Sequence, residues 1–451
     1  MKKSIRIAVA LLAVLMTVPA FAGCSHTHRF GDWITDAESH SRSCTVGKCT
    51  ETESGVHNIG EGTVLVEAGP VSEGLKEYRC ADCGYTFTEV IPQRLSLTIE
   101  EFSEFDTHTS LQKKYLASPV ADVPDKAVGE LEQSTQGTPV FTWHLEGLAE
   151  GEELVNYLLS ISEKEDMSDA KTYRSRYWQY DRTGGFNFKV RTDYYWQVTA
   201  SVKLADGTEV ETKSAVSTFR TLDGPRTLDV GGIANFRDLG GKDADGGVLR
   251  QGLIFRCGRL NPNYSKSSSV SAYGKTMLIE LGIKSEIDLR GAINDSGYYQ
   301  NGFKADGSET MHSWGGDQIN YYLCPAIYYD SILNNEDGKK MVKDSFAILA
   351  DPDNYPLIFH CSIGTDRTGI LAFLIEGICG VSYSDMERDY LFSNFANIGS
   401  SRSESKFLAV TSPVRSQKGS NYMEKCMNYL RSIGVTDEQI ESVRNILIEK
   451  S

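Results

Sequence analysis

The segment "IFHCSIGTDRTG", Ile358 to Gly369, places a cysteine and an arginine six positions apart among glycine and hydroxyl residues. The run "YPLIF" before it predicts a buried strand, and "TGILAFLIEGICG" predicts an apolar helix that ends near Gly380. Amide groups in a loop between a strand and a helix N-terminus bind anions, and the helix dipole adds positive potential. The segment therefore predicts a phosphate-binding loop.

The residue types in this loop suit nucleophilic chemistry on phosphorus. Cys361 opens the loop, where the amides and the dipole lower the pKa of a thiol and supply a thiolate. Arg367 closes it with a planar group that can hold two phosphoryl oxygens. Thr368 offers a hydroxyl to the sulfur as it leaves, and Gly364 lets the backbone approach the ligand. We expect substrate to contact His360, Ser362, Ile363, Gly364, Thr365 and Thr368, with His360 also orienting the loop.

The C-x5-R spacing followed by threonine resembles the signature of cysteine-dependent phosphatases. Further segments resemble one bacterial tyrosine-phosphatase family: "NFRDLGG", "GLIFRCGRL", "LGIKSEIDLR" and "DYLFSN". The resemblance covers roughly Arg226 to the C-terminus. It implies an α/β cysteine-phosphatase fold, a phosphocysteine intermediate hydrolysed by water, no catalytic cofactor, and a substrate among phosphoproteins, phosphoinositides or small phosphate esters.

The general acid has two candidates. The resemblance implies Asp366, which could instead only brace the loop by hydrogen bonds. Asp330 is the rival, because many cysteine phosphatases bring their acid from an upstream loop. Asp288 more simply belongs to the end of its strand. Thr365 replaces a lysine that is common in the family, and the lost charge weakens the case for multiply phosphorylated lipids.

Length and charge narrow the classes of protein further. A chain of 451 residues predicts several domains, and its net charge of −15 argues against nucleic-acid binding, which needs basic patches. Cysteines outside the loop and the N-terminal region are interpreted as core residues: Cys257, Cys324, Cys379 and Cys426.

The N-terminus predicts export. Basic residues precede the apolar run from Ile7 to Gly23, which is short for a membrane span and contains Pro19. Residues 1–23 are therefore expected to be a signal peptide. An A-x-A cleavage site fits Ala20 to Ala22, and a lipoprotein signal fits a lipidated Cys24, which we favour. The protein would then lie on the outer face of a bacterial membrane, or be secreted.

Residues 24–93 are rich in cysteine and histidine and poor in apolar periodicity. Their pattern H-x3-C-x4-C-x7-H followed by C-x2-C suits tetrahedral zinc. The segment "GLKEYRCADCGY" resembles small zinc-ribbon-like modules of Gram-positive surface proteins. Two disulfides are the alternative in an exported protein. The predicted ligands of about one zinc ion are a subset of His40, Cys44, Cys49, His57, Cys80 and Cys83.

Residues 137–222 alternate apolar and polar side chains in short runs, which predicts a β-sandwich. The dipeptide Asp206-Gly207 predicts a hairpin turn. Aromatic residues such as Trp143 and Trp196 resemble the core of a fibronectin type III module. Residues 94–136 are a linker or an extra strand, and residues 226–451 predict an α/β domain with a helical C-terminal half and a capping box at Thr436 and Gln439.

These regions together predict a multidomain, lipid-anchored phosphatase acting on phosphotyrosine or with dual specificity. Two alternatives stay open: a surface binding or adhesion protein whose phosphatase fold is inert, and a phosphoinositide phosphatase. An intact set of Cys361, Asp366, Arg367 and Thr368 favours the enzyme.

Overall fold

The structure is a computed structural model that describes residues 26–119, 134–180, 186–262, 269–328, 331–397, 399 and 401–450. The predicted signal peptide, Cys24 and Asp330 lie outside these residues. The chain forms two compact units, and the boundary falls between Leu95 and Ser96. Of the helices in the described ranges, none combines the length and apolar character needed to cross a bilayer.

The first unit is built from short antiparallel strands. One sheet joins β1 (Ile34–Thr35), β2 (Ser39–Ser43) and β3 (Thr52–Val56), and another joins β4 (Thr63–Val66), β5 (Gly74–Arg79) and β6 (Thr86–Ile91). Every residue of β3 and β4 is exposed to solvent. The buried side chains of the unit include His40, Cys44 and Cys80. Apart from Leu95, the buried side chains of the described residues in this unit are therefore potential metal ligands.

The N-terminal part of the second unit is a β-sandwich. Its elements are β7 (Ser96–Ile99), β8 (Glu104–Phe105), α1 (Ser110–Leu116), β9 (Phe141–Glu146), β10 (Glu153–Ser162), β11 (Lys171–Ser175), β12 (Gln179–Tyr180), β13 (Asp193–Lys203), β14 (Glu209–Lys213) and β15 (Ser217–Thr221). One sheet has the order β11-β10-β13-β15-β8, with β14 also paired to β13, and the other has the order β12-β9-β7. The region 94–136 thus contributes β7, β8 and α1.

Aromatic side chains fill the sandwich. Trp143 and Trp196 have no exposed surface, and Phe141 meets Trp196 edge-on at a centroid distance of 4.9 Å. These contacts confirm the interpretation of the aromatics as core. The predicted hairpin is present between β13 and β14, where Gly207 adopts a φ of +90°. The fibronectin type III resemblance stays a prediction.

The C-terminal part of the second unit is the predicted α/β region. Its elements are β16 (Arg237–Asp238), β17 (Asp243–Ala244), β18 (Gly247–Leu249), β19 (Ile254–Cys257), α2 (Ala272–Glu280), β20 (Ser285–Arg290), β21 (Asn320–Ala326), α3 (Glu336–Leu349), β22 (Leu357–His360), α4 (Asp366–Ile378), α5 (Tyr383–Phe392), α6 (Glu404–Arg415), α7 (Tyr422–Ser432), α8 (Asp437–Leu447) and β23 (Ile448–Lys450). The central sheet has the order β16-β19-β22-β20-β21, in which β19, β22, β20 and β21 run parallel.

Strand β22 and helix α4 form the centre of this region. Every residue of α4 is buried, because the sheet covers one side of the helix and α5, α7 and α8 cover its other sides. The helix ends at Ile378, close to Gly380 with its φ of +80°, as predicted. The capping box of α8 is also confirmed. The cysteines interpreted as core residues are all buried: Cys257, Cys324, Cys379 and Cys426.

Candidate active site

The loop of residues 361–365 joins β22 to α4 at the carboxyl edge of the central sheet. Parallel pairing places Cys257 of β19 and Asp288 of β20 directly beside His360. Gly364 adopts a φ of +73°, and a Cβ atom there would lie 2.4 Å from the carbonyl oxygen of Cys257. Only glycine can take this conformation at this distance from a neighbouring strand.

The amide groups of the loop are free to bind a ligand. In the described part of the chain, the N–H groups of residues 362–367 have no protein hydrogen-bond acceptor. Thr365, the N-cap of α4, makes no side-chain capping bond, so its hydroxyl does not occupy the end of the helix. A run of unpaired amides at a helix N-terminus is the arrangement with which proteins hold phosphate.

Cys361 lies beneath these amides with 2% of its surface exposed. Burial raises the pKa of its thiol, but the positive charge of Arg367 and the hydroxyl and amide groups of Thr368 outweigh this effect. The pKa of Cys361 therefore lies below its usual value of 9.0. The other core cysteines show the opposite: burial raises the pKa of Cys324 and of Cys379 to about 12. The loop thus distinguishes one thiol chemically from its neighbours.

Arg367 is fixed by the ends of two strands. One guanidinium nitrogen, Nη1, donates to the carbonyl oxygen of Ala326 at 2.8 Å and to that of Leu289 at 3.4 Å. Its Nε is buried and has no hydrogen-bond partner among the described residues. A buried donor without a partner is costly, and a bound phosphoryl oxygen would satisfy it.

His360 supports the loop from below. Its Nε2 lies 2.8 Å from Oε1 of Glu286, and its Nδ1 lies 3.1 Å from the carbonyl oxygen of Cys361. Ser313 donates to the second carboxylate oxygen of Glu286. Since His360 is fully buried and both ring nitrogens have partners, its side chain orients the loop. Among the residues expected to contact substrate, Ser362 and Ile363 are half-buried, whereas Thr365 and Thr368 are buried.

Asp366 begins α4 and is held by three donors. Arg402 donates from Nε to Oδ1 at 2.8 Å and from Nη2 to Oδ2 at 2.6 Å, and the Tyr390 hydroxyl donates to Oδ1 at 3.1 Å. This arrangement matches the bracing role that the sequence left open beside that of general acid. Arg402 was missed, because an arginine in the polar stretch before α6 carries no periodic signal.

Asp288 has the structural role that was expected for it. Burial raises its pKa, but the charges of Arg290 and His360 outweigh this and lower the pKa to about 2. Both oxygens accept hydrogen bonds from Arg290, at 2.8 and 2.6 Å from Nε and Nη2. The pair is fully buried at the end of β20, so Asp288 orients Arg290.

The segments that carry the family resemblance meet behind the loop. Asn235, in the left-handed conformation with a φ of +59°, donates from Nδ2 to the carbonyl oxygens of Ile363 and Gly364 at 3.1 Å. Arg256 donates to the same Gly364 oxygen at 2.8 Å. Asp389 accepts hydrogen bonds from Arg256 and from Arg237, and both of these ion pairs are buried. Residues far apart in the sequence therefore fix the carbonyl side of the loop and leave its amides free.

A cavity of about 340 Å³ opens beside the loop. Its lining includes Ser362 of the loop, the cation Arg259, and the side chains of Ile293, Tyr298 and Tyr299. Larger cavities, of about 880 and 470 Å³, lie between the sandwich and the α/β region and contain none of the loop residues. The cavity of about 340 Å³ therefore reaches the loop at Ser362, the residue that follows Cys361.

The predicted metal ligands separate into two groups among the described residues. The His40 group contains His40, His57, Cys80 and Cys83, and the His26 group contains His26, His28, Cys44 and Cys49. Four of the six predicted ligands therefore converge in the His40 group, in agreement with the predicted subset. Cys44 and Cys49 lie instead beside His26 and His28, which were not among the predicted ligands, although their H-x-H spacing before the first strand was a usable signal.

Residues 228–449 match the tyrosine phosphatase family. A protein of Cupriavidus necator, named for an inferred tyrosine-protein phosphatase activity, is 28% identical over 194 residues, which are 39% of this chain and 66% of that protein. The core catalytic domain of the PP-IP phosphatase Siw14 from S. cerevisiae, solved with citrate, shares 17% identity, with a TM-score of 0.23 over 35% of this chain and 78% of that one. A second structure, of the Siw14 catalytic core, also shares 17% identity, with a TM-score of 0.20 over 36% and 87% of the two chains.

Proposed function

We propose that the chain hydrolyses phosphate monoesters through a phosphocysteine intermediate, on the premise that residues 228–449, which match the tyrosine phosphatase family, form its catalytic domain. The Cys361 thiolate attacks phosphorus, the sulfur–phosphorus bond forms, and the ester oxygen departs with a proton. Water then attacks the phosphocysteine, which releases inorganic phosphate and restores the thiolate. The loop amides and Arg367 stabilise the phosphoryl oxygens in both steps, and Thr368 stabilises the sulfur as the leaving group of the second.

One observation supports this proposal above the others. A buried thiol with a lowered pKa lies in a loop whose amides have no partner in the described residues, next to an arginine whose Nε is also unpartnered. A thiol that served only as core would show a raised pKa, as Cys379 does. Free donors of this kind are costly without a ligand, and a phosphoryl group matches all of them.

Asp366 remains our candidate for the general acid, with one condition. Hydrogen bonds from Arg402 and Tyr390 engage both oxygens of its carboxylate. Proton transfer from Asp366 to a leaving group therefore requires that one carboxylate oxygen is released while Arg402 keeps its contact with the other. If Arg402 holds both oxygens throughout the reaction, Asp366 braces the loop and Asp330 supplies the proton.

The lining of the cavity favours an aryl phosphate. Tyr298, Tyr299 and Ile293 offer apolar surface next to Ser362, where the group esterified to the phosphate would lie. Two arginines also line the cavity. Both oxygens of Asp288 hold the guanidinium of Arg290, and Nη1 of Arg259 donates to the carbonyl oxygen of Ser362 at 3.3 Å. Thr365 adds no charge where the family commonly has lysine. We therefore propose phosphotyrosine as the preferred class, ahead of multiply phosphorylated lipids.

The test is an assay of the full chain on an aryl phosphate, phosphotyrosine and phosphoserine peptides, and a phosphoinositide. We expect release of phosphate from the aryl phosphate and the phosphotyrosine peptide, and none from any substrate with Cys361→Ser. Binding of vanadate without turnover of any substrate would instead favour an inert phosphatase fold in a surface binding protein. Faster turnover of the phosphoinositide would overturn the proposed substrate class.

We further propose that a lipid on Cys24 anchors the protein to the outer face of the bacterial membrane, with the N-terminal modules as a spacer. The support is the sequence pattern of an apolar run that ends in Ala-Gly-Cys. Replacement Cys24→Ala should release the protein into the medium. Unchanged membrane retention of that variant would contradict lipid anchoring.

A further inference from the structure

The first unit brings cysteine and histidine side chains together in two places. In the His26 group, Sγ of Cys44 lies 3.9 Å from Nε2 of His26, and Sγ of Cys49 lies 3.4 Å from Nδ1 of His28. The four ligand atoms of this group all lie within 4.8 Å of one another. This is the compact arrangement that a metal ion requires, reached from two separate stretches of chain.

The His40 group repeats the same composition. Sγ of Cys80 lies 3.7 Å from Nδ1 of His40, and Sγ of Cys83 lies 3.4 Å from Nδ1 of His57. Its four ligand atoms also lie within 4.8 Å of one another. Both groups therefore offer two sulfur and two nitrogen ligands.

We propose that the unit binds two zinc ions, one in each group, and that His26 and His28 complete the second site. Tetrahedral zinc with Zn–S bonds of about 2.3 Å and Zn–N bonds of about 2.05 Å places a sulfur and a nitrogen ligand about 3.6 Å apart. The four sulfur–nitrogen distances lie between 3.4 and 3.9 Å. Each group is thus close to the ligand spacing of a zinc centre.

The backbone around the ligands supports this geometry. Residues 29–31 pair with residues 43–45 through hydrogen bonds from Gly31 to Ser43 at 3.0 Å and from Thr45 to Arg29 at 2.7 Å. This pairing carries the N-terminal histidines to Cys44. In the other group, Gly84 has a φ of +75° and donates to the carbonyl oxygen of Cys80 at 3.0 Å. The tight turn brings both thiols of the C-x2-C pair to one side.

A hydrogen bond to the ring nitrogen of His57 that faces away from Cys83 is also consistent with metal binding. Nε2 of His57 lies 2.9 Å from the carbonyl oxygen of Asp36. If Nε2 carries the proton and donates to that oxygen, Nδ1 is left with its lone pair toward Cys83. Histidine ligands of zinc are commonly held in this way by a carbonyl group behind the ring.

The unit also needs a cross-link of some kind. Within the described residues of 26–94, no side chain belongs to any of the apolar clusters that form the cores of the chain. Segments of this size without an apolar core are normally stabilised by metal or by disulfides. Disulfides would use the four thiols and leave the histidines without a role. Zinc uses all eight side chains, including the buried His40.

The test is the zinc content of the full chain, purified without chelator or reductant and measured by elemental mass spectrometry. We expect two zinc ions per chain for the unaltered protein, and one for His28→Ala and for Cys83→Ser. His28→Cys should keep two, because a thiolate replaces the imidazole as a ligand. His144→Ala is the matched control and should also keep two, since His144 is an exposed histidine of the sandwich that pairs with Glu100.

Two results would overturn the proposal. One is a zinc content of one ion per chain in both the unaltered protein and the His28→Ala variant, which would show that the His26 group binds no zinc. The other is a chain without zinc whose mass under non-reducing conditions is lower by four hydrogens, which would show that the thiols form two disulfides. Titration of metal-free chain with Co²⁺ provides the independent readout. Thiolate-to-cobalt absorption should saturate at two equivalents, whereas saturation at one would count against the proposal.

Discussion

The carboxylate of Asp366 forms a two-point ion pair with the guanidinium of Arg402. Both oxygens are engaged, at 2.8 Å from Nε and 2.6 Å from Nη2, and the exposed fractions of the two side chains are 6% and 14%. The pair connects the first turn of α4 to the segment that precedes α6. The position of the candidate acid therefore depends on a residue outside the phosphate-binding loop.

The role of Arg402 can be tested through leaving groups. If Arg402 positions Asp366 for proton transfer, Arg402→Gln should lower kcat about tenfold on aryl phosphates with poor leaving groups and little on good ones. Arg402→Lys should recover part of this loss, because the charge remains. Arg415→Gln, at an exposed position in the last turn of α6, is the control. Equal losses on all substrates would indicate a purely structural role.

The nucleophile and its arginine give the largest expected effects. Cys361→Ser should abolish turnover, because the pKa of an alcohol is too high for the loop to ionise it, while vanadate binding largely survives. Arg367→Lys keeps the charge but loses the bidentate contact, and kcat should fall about 100-fold or more. Steady-state kinetics and vanadate titration measure both. Full activity of Cys361→Ser would contradict the mechanism.

The general acid is assigned by comparing Asp366→Asn with Asp330→Asn. Loss of the general acid should reduce kcat about 100-fold or more on aryl phosphates with poor leaving groups, and should leave kcat nearly unchanged on those with good leaving groups. We expect this steep dependence in Asp366→Asn. A steep dependence in Asp330→Asn together with a flat one in Asp366→Asn would reverse the assignment.

The Thr368 hydroxyl is buried without a hydrogen-bond partner among the described residues, so it is available to the Cys361 sulfur. In this role it lowers the pKa of Cys361, after the larger effects of burial, which raises the pKa, and of Arg367, which lowers it. Thr368→Val should therefore move the pKa of Cys361 upward. The rate at which iodoacetamide alkylates Cys361 can be followed by mass spectrometry of the Cys361 peptide. In Thr368→Val the rise of this rate with pH should occur at a higher pH than in the unaltered protein. Thr276→Val, whose hydroxyl bonds only its own helix at Ala272, should leave the profile unchanged. An unshifted profile in Thr368→Val would contradict this role of the hydroxyl.

Arg226 joins the sandwich to the α/β region. It pairs with Asp238 at 2.6 Å, with exposed fractions of 4% and 0%, and donates to the carbonyl oxygens of Phe188 and Asn187. Arg226→Ala leaves a buried carboxylate without its cation and should cost about 3 kcal/mol in the free energy of unfolding. Arg220→Ala breaks an exposed pair with Asp193 and should cost less than about 1 kcal/mol. Urea denaturation of the two variants compares them directly, and equal losses would contradict a special role for Arg226.

The sequence by itself determined the features whose residues lie close together along the chain. Cys361, Gly364, Arg367 and Thr368 lie within eight consecutive residues, so a strand, a loop and a helix suffice to place them. The ends of α4 and α8 were predictable for the same reason, because capping and glycine signals act over a single turn. Three strands of the central sheet, β19, β20 and β22, were also predicted, because runs of apolar residues mark buried strands.

Only the tertiary structure decided which distant residues meet. Arg402 reaches Asp366 across 36 positions, and His40 meets Cys80 across 40. The sequence displayed six candidate metal ligands but not their division between the His26 and His40 groups, because that division depends on how the short strands of the first unit pair. Spacing along a chain predicts contacts within a turn or a loop. Contacts between elements depend on packing and register, which no local pattern encodes.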